Sequence, residues 1–226
     1  MKGEKNMNSY SKILEAVRTW KTSEAIKMLE DNIREQEANK NYSKGSNEKK
    51  QFSIITSLLK EIDKNYNHNF RFLKAQKQEN GDYIFTDGHR AFINPSCLGY
   101  EVAEKQEAYN FNTMLKELNS YTKTLVIDKN QLKTYIAIRG YRKSTRNMKP
   151  FLVQTGNGEI IGFNPFHALE CMDYSGNNVF YYTNSKSPLY ALNHSCLFLP
   201  VYVRDSIDYE SWYKEIFGEQ ELEKAI

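Results

Sequence analysis

The chain has 226 residues, 40% of them hydrophobic and 13% aromatic, with 31 Lys and Arg against 28 Asp and Glu. That length suits one large domain or two small ones, and the apolar share is enough for a sizeable core. A net charge of +3 does not by itself point to nucleic acid, and no apolar run approaches the ~18–20 residues of a membrane span, so a soluble protein is expected.

In residues 8–38, apolar side chains fall at Ile13, Leu14, Val17, Trp20, Ala25, Ile26, Leu29 and Ile33. Spacings of three and four predict one helix, or two short helices broken near Thr22-Ser23 with Ser23 capping the second. Residues 38–50 are polar and aperiodic and read as a linker. Residues 51–64 predict an amphipathic helix with Ile54, Ile55, Leu58, Leu59 and Ile62 on one face. Strands follow at 70–77 and 83–93, joined by the Asn80-Gly81 hairpin signal. A short helix is expected at 109–120 around Met114, Leu115 and Leu118.

The pattern then begins again. A strand at 124–128 leads to a helix at 129–142 with a basic end. A hairpin at 150–163 turns around Gly156-Asn157-Gly158. Pro165 sits in the first turn of a short helix at 165–172, where proline is tolerated. Strands at 178–184, 187–193 and 196–203 precede a final amphipathic helix at 209–225. Helices alternate with antiparallel hairpins and no βαβ nucleotide fingerprint appears, which is α+β.

The three cysteines, Cys97, Cys171 and Cys196, are widely spaced and form no CxxC pair, which argues against structural zinc. With no secretory signal ahead of them, a reducing cytoplasm is the expected setting. There is no GxxxxGK[ST], GxSxG, HExxH or GxGxxG motif. His167 and Cys171 share a helix face. They read either as a Cys–His nucleophile pair or as core residues beside Leu169 and Met172. Asp87 and His89 flank Gly88, as an acid–base pair or as turn chemistry. Core packing and turn chemistry are the preferred readings of both sets, so no catalytic residue, metal ligand or cofactor is assigned and no enzymatic activity is expected, with a small hydrolase using Cys171 and His167 as the least favoured alternative.

Charge is unevenly spread. Residues 123–149 hold Lys123, Lys129, Lys133, Arg139, Arg142, Lys143, Arg146 and Lys149 against Asp128 alone, eight bases to one acid, a local +7. Tyr141 interleaves with them. This suits sequence-independent phosphate contacts, or equally a solvated helix end. From Arg204 onward the balance reverses, with three bases against seven acids.

TDGHR (86–90), preceded by a strand, resembles the TDGHR hairpin of the bacterial DNA polymerase III beta subunit family, the sliding clamp. IGFNPFHALECM (161–172), NVFYYTNSKSPLYAL (178–192) and the CLFLPVYV tail (196–203) resemble that family's last domain in the same order. The resemblance covers about 51–94 and 124–203. It implies a DNA-clamp-like fold without enzymatic activity, a DNA sliding-clamp-like processivity factor or docking platform. Partners would be double-stranded DNA, bound nonspecifically, and replication proteins carrying short clamp-binding motifs. By position, Thr86, Gly88, His89 and Arg90 would form one wall of a partner-peptide pocket, with His89 and Arg90 giving rim polarity. Leu197, Leu199, Pro200 and Val201 would form the other wall, with Ser187 and Pro188 at its edge. Lys129, Lys133, Arg139, Arg142, Lys143, Arg146 and Lys149 would meet DNA.

The expected organisation is a helical extension and linker (1–50), a unit containing TDGHR (51–123), a second unit (124–205) and an acidic helix (206–226). Residues 51–203 read as two compressed domains or as two halves of one. Family members carry three clamp domains and close as rings of six in all, which this chain is too short to match alone. Tyr202 stands where the family tail ends in Arg. A short, divergent relative of phage or mobile-element type fits these departures, either as a homo-oligomeric ring or as a clamp-derived factor that no longer encircles DNA. The alternative is a non-ring interaction module that regulates a replication protein.

Overall fold

A computed structural model describes residues 22–65, 74–79, 81–95, 111–145, 147–203 and 207–218, together with Ile13 and Val17. Helix α1 (Thr22–Asn41) and helix α2 (Asn47–Asn65) are separated by only five residues. The expected linker at 38–50 is therefore mostly helix. Ser46 caps α2 by accepting the Lys49 N–H at 3.2 Å, and a polar, exposed first turn had hidden the helix start. Phe52, Ile55, Leu58 and Ile62 of α2 are buried, one face at spacings of three and four.

Seven antiparallel strands form one sheet in the order β1-β2-β3-β9-β8-β7-β4. These are β1 (Gln76–Lys77), β2 (Tyr83–Thr86), β3 (Arg90–Ile93), β4 (Lys123–Val126), β7 (Val179–Tyr182), β8 (Leu189–Ala191) and β9 (Cys196–Phe198). A second sheet, in the order β10-β6-β5, contains β5 (Phe151–Gln154), β6 (Ile160–Phe163) and β10 (Pro200–Val201). The boundary expected at 123/124 falls within the span of this sheet. β3 pairs with β9 through Arg90↔Phe198, Ala91↔Leu197 and Phe92↔Cys196, so strands from both expected units share one sheet. Helices from both segments, α2 and the helix at Pro165–Ser175, pack on this shared sheet in one core.

Both faces of the central strands are buried. Phe85, Phe92, Cys196 and Phe198 point to one face, where they meet α2 and helix α5 (Pro165–Ser175) in the main core. Ile84, Ala91, Ile93 and Leu197 alternate to the other face, under Leu115 and Leu118 of helix α3 (Asn112–Leu118). Helix α4 (Lys129–Ile138) starts at Asp128, whose carboxylate accepts the Asn130 and Gln131 N–H groups, and buries Leu132 and Tyr135. α5 is bounded by the Asn164 cap, Pro165 and a left-handed Gly176. Helix α6 (Tyr209–Phe217) docks by aromatics, with the Trp212 ring 5.8 Å from Tyr135 and 5.7 Å from Phe151. The helix ends at Phe217, and the expected stretch 219–225 lies outside the described residues. The architecture is mixed α+β, with antiparallel sheets and six helices among the described residues.

Candidate functional site

Turn 86–90 is held by its own side chains. Asp87 Oδ1 accepts the N–H groups of His89 at 2.9 Å and Arg90 at 3.0 Å. Thr86 Oγ1 accepts the Gly88 N–H at 2.9 Å and donates to the Arg90 carbonyl at 2.8 Å. Gly88 has φ +85°, where a side chain would be strained. Asp, Gly and Thr are the residues this geometry demands.

Arg90 departs from the expected rim position. It is only 2% exposed, and its guanidinium points inward. Nη2 donates to Glu61 Oε2 at 2.5 Å, Nη1 donates to Glu170 Oε2, and Nε lies 3.3 Å from Asp87 Oδ2. Lys143 Nζ binds the second oxygen of each outer carboxylate, Glu61 Oε1 at 2.9 Å and Glu170 Oε1. Burial alone would lower the Arg90 pKa, but the carboxylates of Glu170, Asp87 and Glu61 outweigh it and raise it. The same balance raises Lys143, where burial is outweighed by Glu170 and Glu61. Burial would raise Glu61, but Lys143 and Arg90 hold it below its ordinary value. The network ties the turn to α2, α5 and the loop after α4.

Turn and tail meet, though not as two walls of one pocket. The Leu199 N–H donates to the His89 carbonyl at 2.8 Å. Thr86 and Leu197 are buried, while Gly88 and His89 are exposed. Ser187 is also buried. Its Oγ accepts the Thr183 and Asn184 N–H groups at 2.9 and 3.2 Å, which shapes the loop before Pro188. Beyond Leu199 lies a groove of about 520 Å³ lined by Ile160, Lys186, Pro200, Val201, Tyr202 and Val203, among others. Val201 is 40% and Tyr202 73% exposed. Of the expected pocket residues, the groove takes Pro200 and Val201. Gly162 lets the tail lie flat on β6, since a Cβ there would collide with Val203 Cγ2.

The basic segment is partly neutralised. Lys129 pairs with Asp173 at 2.5 Å, Arg139 with Glu215 at 2.9 Å, and Lys143 with Glu61 and Glu170. Lys133, Arg142 and Lys149 are exposed and make no ion pair among the described residues. Arg146 lies outside the described residues.

The Cys–His alternative fits poorly. Cys171 is fully buried, its thiol directed to the Leu197 carbonyl at 3.6 Å. Burial and the neighbouring Cys196 push its pKa well up, the opposite of an activated nucleophile. The His167 ring lies 6.1 Å from that of His89. Burial, then Arg90, pushes His167 down to about 4. Asp87 is committed to the turn and to Arg90, so the Asp87–His89 acid–base alternative loses its carboxylate. Among the described residues no group of three or more His, Cys, Asp or Glu is placed to hold a metal ion, and no helix is long and apolar enough to cross a membrane.

Glu61, Glu170, Gly162, Lys186 and Val203 were not singled out in the sequence, and Tyr202 was noted only as a departure from the family tail. Glu61 carried a signal, because it sits between Leu58 and Ile62 on the buried face of α2. A carboxylate beside an apolar stripe announces a cationic partner elsewhere in the chain. No family model, curated protein or solved structure matches this chain.

Proposed function

We propose that this protein is a divergent relative of the sliding clamps, a docking platform held at DNA by nonspecific electrostatics and receiving short extended segments of replication proteins in the groove beside its tail. The observation that carries the reading is the Leu199–His89 hydrogen bond. It joins two motifs far apart in sequence, TDGHR and the Leu-Pro-Val tail, next to an accessible groove of mixed polar and apolar lining. An extended peptide with aliphatic or aromatic anchors would bury Val201, Tyr202 and Ile160 there, with Lys186 at the rim. Lys133, Arg142 and Lys149 would supply phosphate contacts, fewer than the charge count alone suggests. The role is binding rather than catalysis. Because 51–203 makes one body, a ring of six such bodies takes six copies rather than three.

The test is selection of a display library of random twelve-residue peptides on the full chain, with counter-selection on Val201→Asp. Enrichment of extended apolar peptides that Val201→Asp no longer binds supports the groove. No enrichment, or enrichment indifferent to Val201→Asp, removes it.

A further inference from the structure

Lys143 stands apart from the other cations of the basic segment. Its side chain is 40% exposed, yet its ammonium is held by two carboxylates from two different helices and donates to Ser57 Oγ at 3.2 Å. Each carboxylate uses one oxygen for Lys143 and the other for Arg90. The two acids thus present to Lys143 what a phosphate would present, two anionic oxygens at hydrogen-bond range. With Asp87 the network holds three acids and two bases, an excess of one negative charge. Releasing Lys143 would raise that excess to two around a nearly inaccessible arginine.

We propose that Glu61 and Glu170 act as an internal phosphate mimic that withholds Lys143 from polyanions, and that their shared oxygens link occupancy of Lys143 to the turn 86–90. This inference rests on the DNA-binding reading of the basic segment. A phosphate that takes Lys143 must displace both acids. Their charge then falls on Arg90 alone, so duplex engagement at Lys143 is felt at the turn that carries His89 and Leu199. Lys133, Arg142 and Lys149 make the first phosphate contacts, and Lys143 is the reserve.

The experiment is a double-mutant cycle read by anisotropy of a labelled 30-base-pair duplex of random sequence, titrated over a salt series with the full chain. Glu61→Gln frees one arm of the mimic. The expected result is about two- to fivefold tighter duplex binding, the range a partly exposed ion pair can withhold. The slope of log K against log salt should steepen by about one contact. Lys143→Met should cost little in the wild-type background and the whole gain in the Glu61→Gln background. A gain in Glu61→Gln that survives Lys143→Met overturns the mimic, since it would then be general charge removal. Equal binding by wild type and Glu61→Gln overturns it while leaving the DNA reading standing. No binding by either removes the DNA reading and the inference together. The link to the turn is read without DNA from the His167 ring signals. Lys143→Met leaves Glu61 and Glu170 less compensated and should raise the His167 titration midpoint, and an unchanged midpoint overturns the link.

Discussion

The Leu199 amide donates to the His89 carbonyl at 2.8 Å, and at this bond the chain passes from the seven-stranded sheet to the tail that borders the groove. The bond's position depends on Asp87, which holds the His89 and Arg90 amides and faces Arg90 Nε. Asp87→Ala leaves two amides without their acceptor and removes one counter-charge from a buried guanidinium. A loss of about 2–4 kcal/mol is expected by urea unfolding. Asp87→Asn keeps the acceptor oxygen and should lose clearly less. Equal losses for the two would show that the amides contribute nothing.

Acid should weaken the fold through His167. Its folded pKa is about 4, against an ordinary 6.5, so between these values the unfolded chain binds more protons than the folded one. Stability is then complete above about pH 6.5 and falls toward pH 4, at up to ~1.4 kcal/mol per pH unit. Besides burial, Arg90 and His89 disfavour its charge, and Asp87 and Glu61 favour it. Glu61 acts in the same direction at lower pH, since its lowered pKa gives stability that is lost as pH falls through the folded value. Urea midpoints from pH 4.5 to 7.5 check this. His167→Gln should flatten the slope over that window, and a slope that persists unchanged would assign it to other groups.

The tail's seat on β6 is set by one missing side chain. Gly162→Val would thrust a branched side chain against Val203 and Leu152, with an expected cost of about 1–3 kcal/mol. It should also displace Val203 from the groove wall. Val201→Asp alters a side chain that is 40% exposed at the end of β10 and should cost less than Gly162→Val by urea unfolding. If Gly162→Val proved neutral, the tail would not rest on β6 as described.

The helices and hairpins were legible because their signals are local. Apolar spacing in α2, Asp128 before α4 and the Asn164-Pro165 start of α5 each act within a few residues. What stayed hidden is set by pairing across the chain. Nothing near Arg90 says that its partners are Glu61 and Glu170, so a conspicuous Arg in a turn read as exposed rim. The same holds for Lys129, Arg139 and Lys143, where a charge count could not see Asp173, Glu215 and Glu61 arriving from other elements. β3 against β9 is likewise a long-range pairing, and without it the two halves looked like separate units.

The proposed ring is expected to close through its sheet edges. β4 ends the seven-stranded sheet, and no described strand pairs with its outer side. Val126 on that strand is 62% exposed, an apolar residue on an open edge where soluble monomers usually place a charge. Light scattering at several concentrations in moderate salt is expected to give a closed oligomer of more than three copies. Val126→Lys should dissociate it, with the fold unchanged by circular dichroism, because the substitution charges the edge and touches no core contact. A closed assembly should be retained on circular duplex and lost from the same duplex once linearised. A monomer at all concentrations would rule out the ring in isolation and leave a docking module, for which only the groove and Lys133, Arg142 and Lys149 remain to be tested.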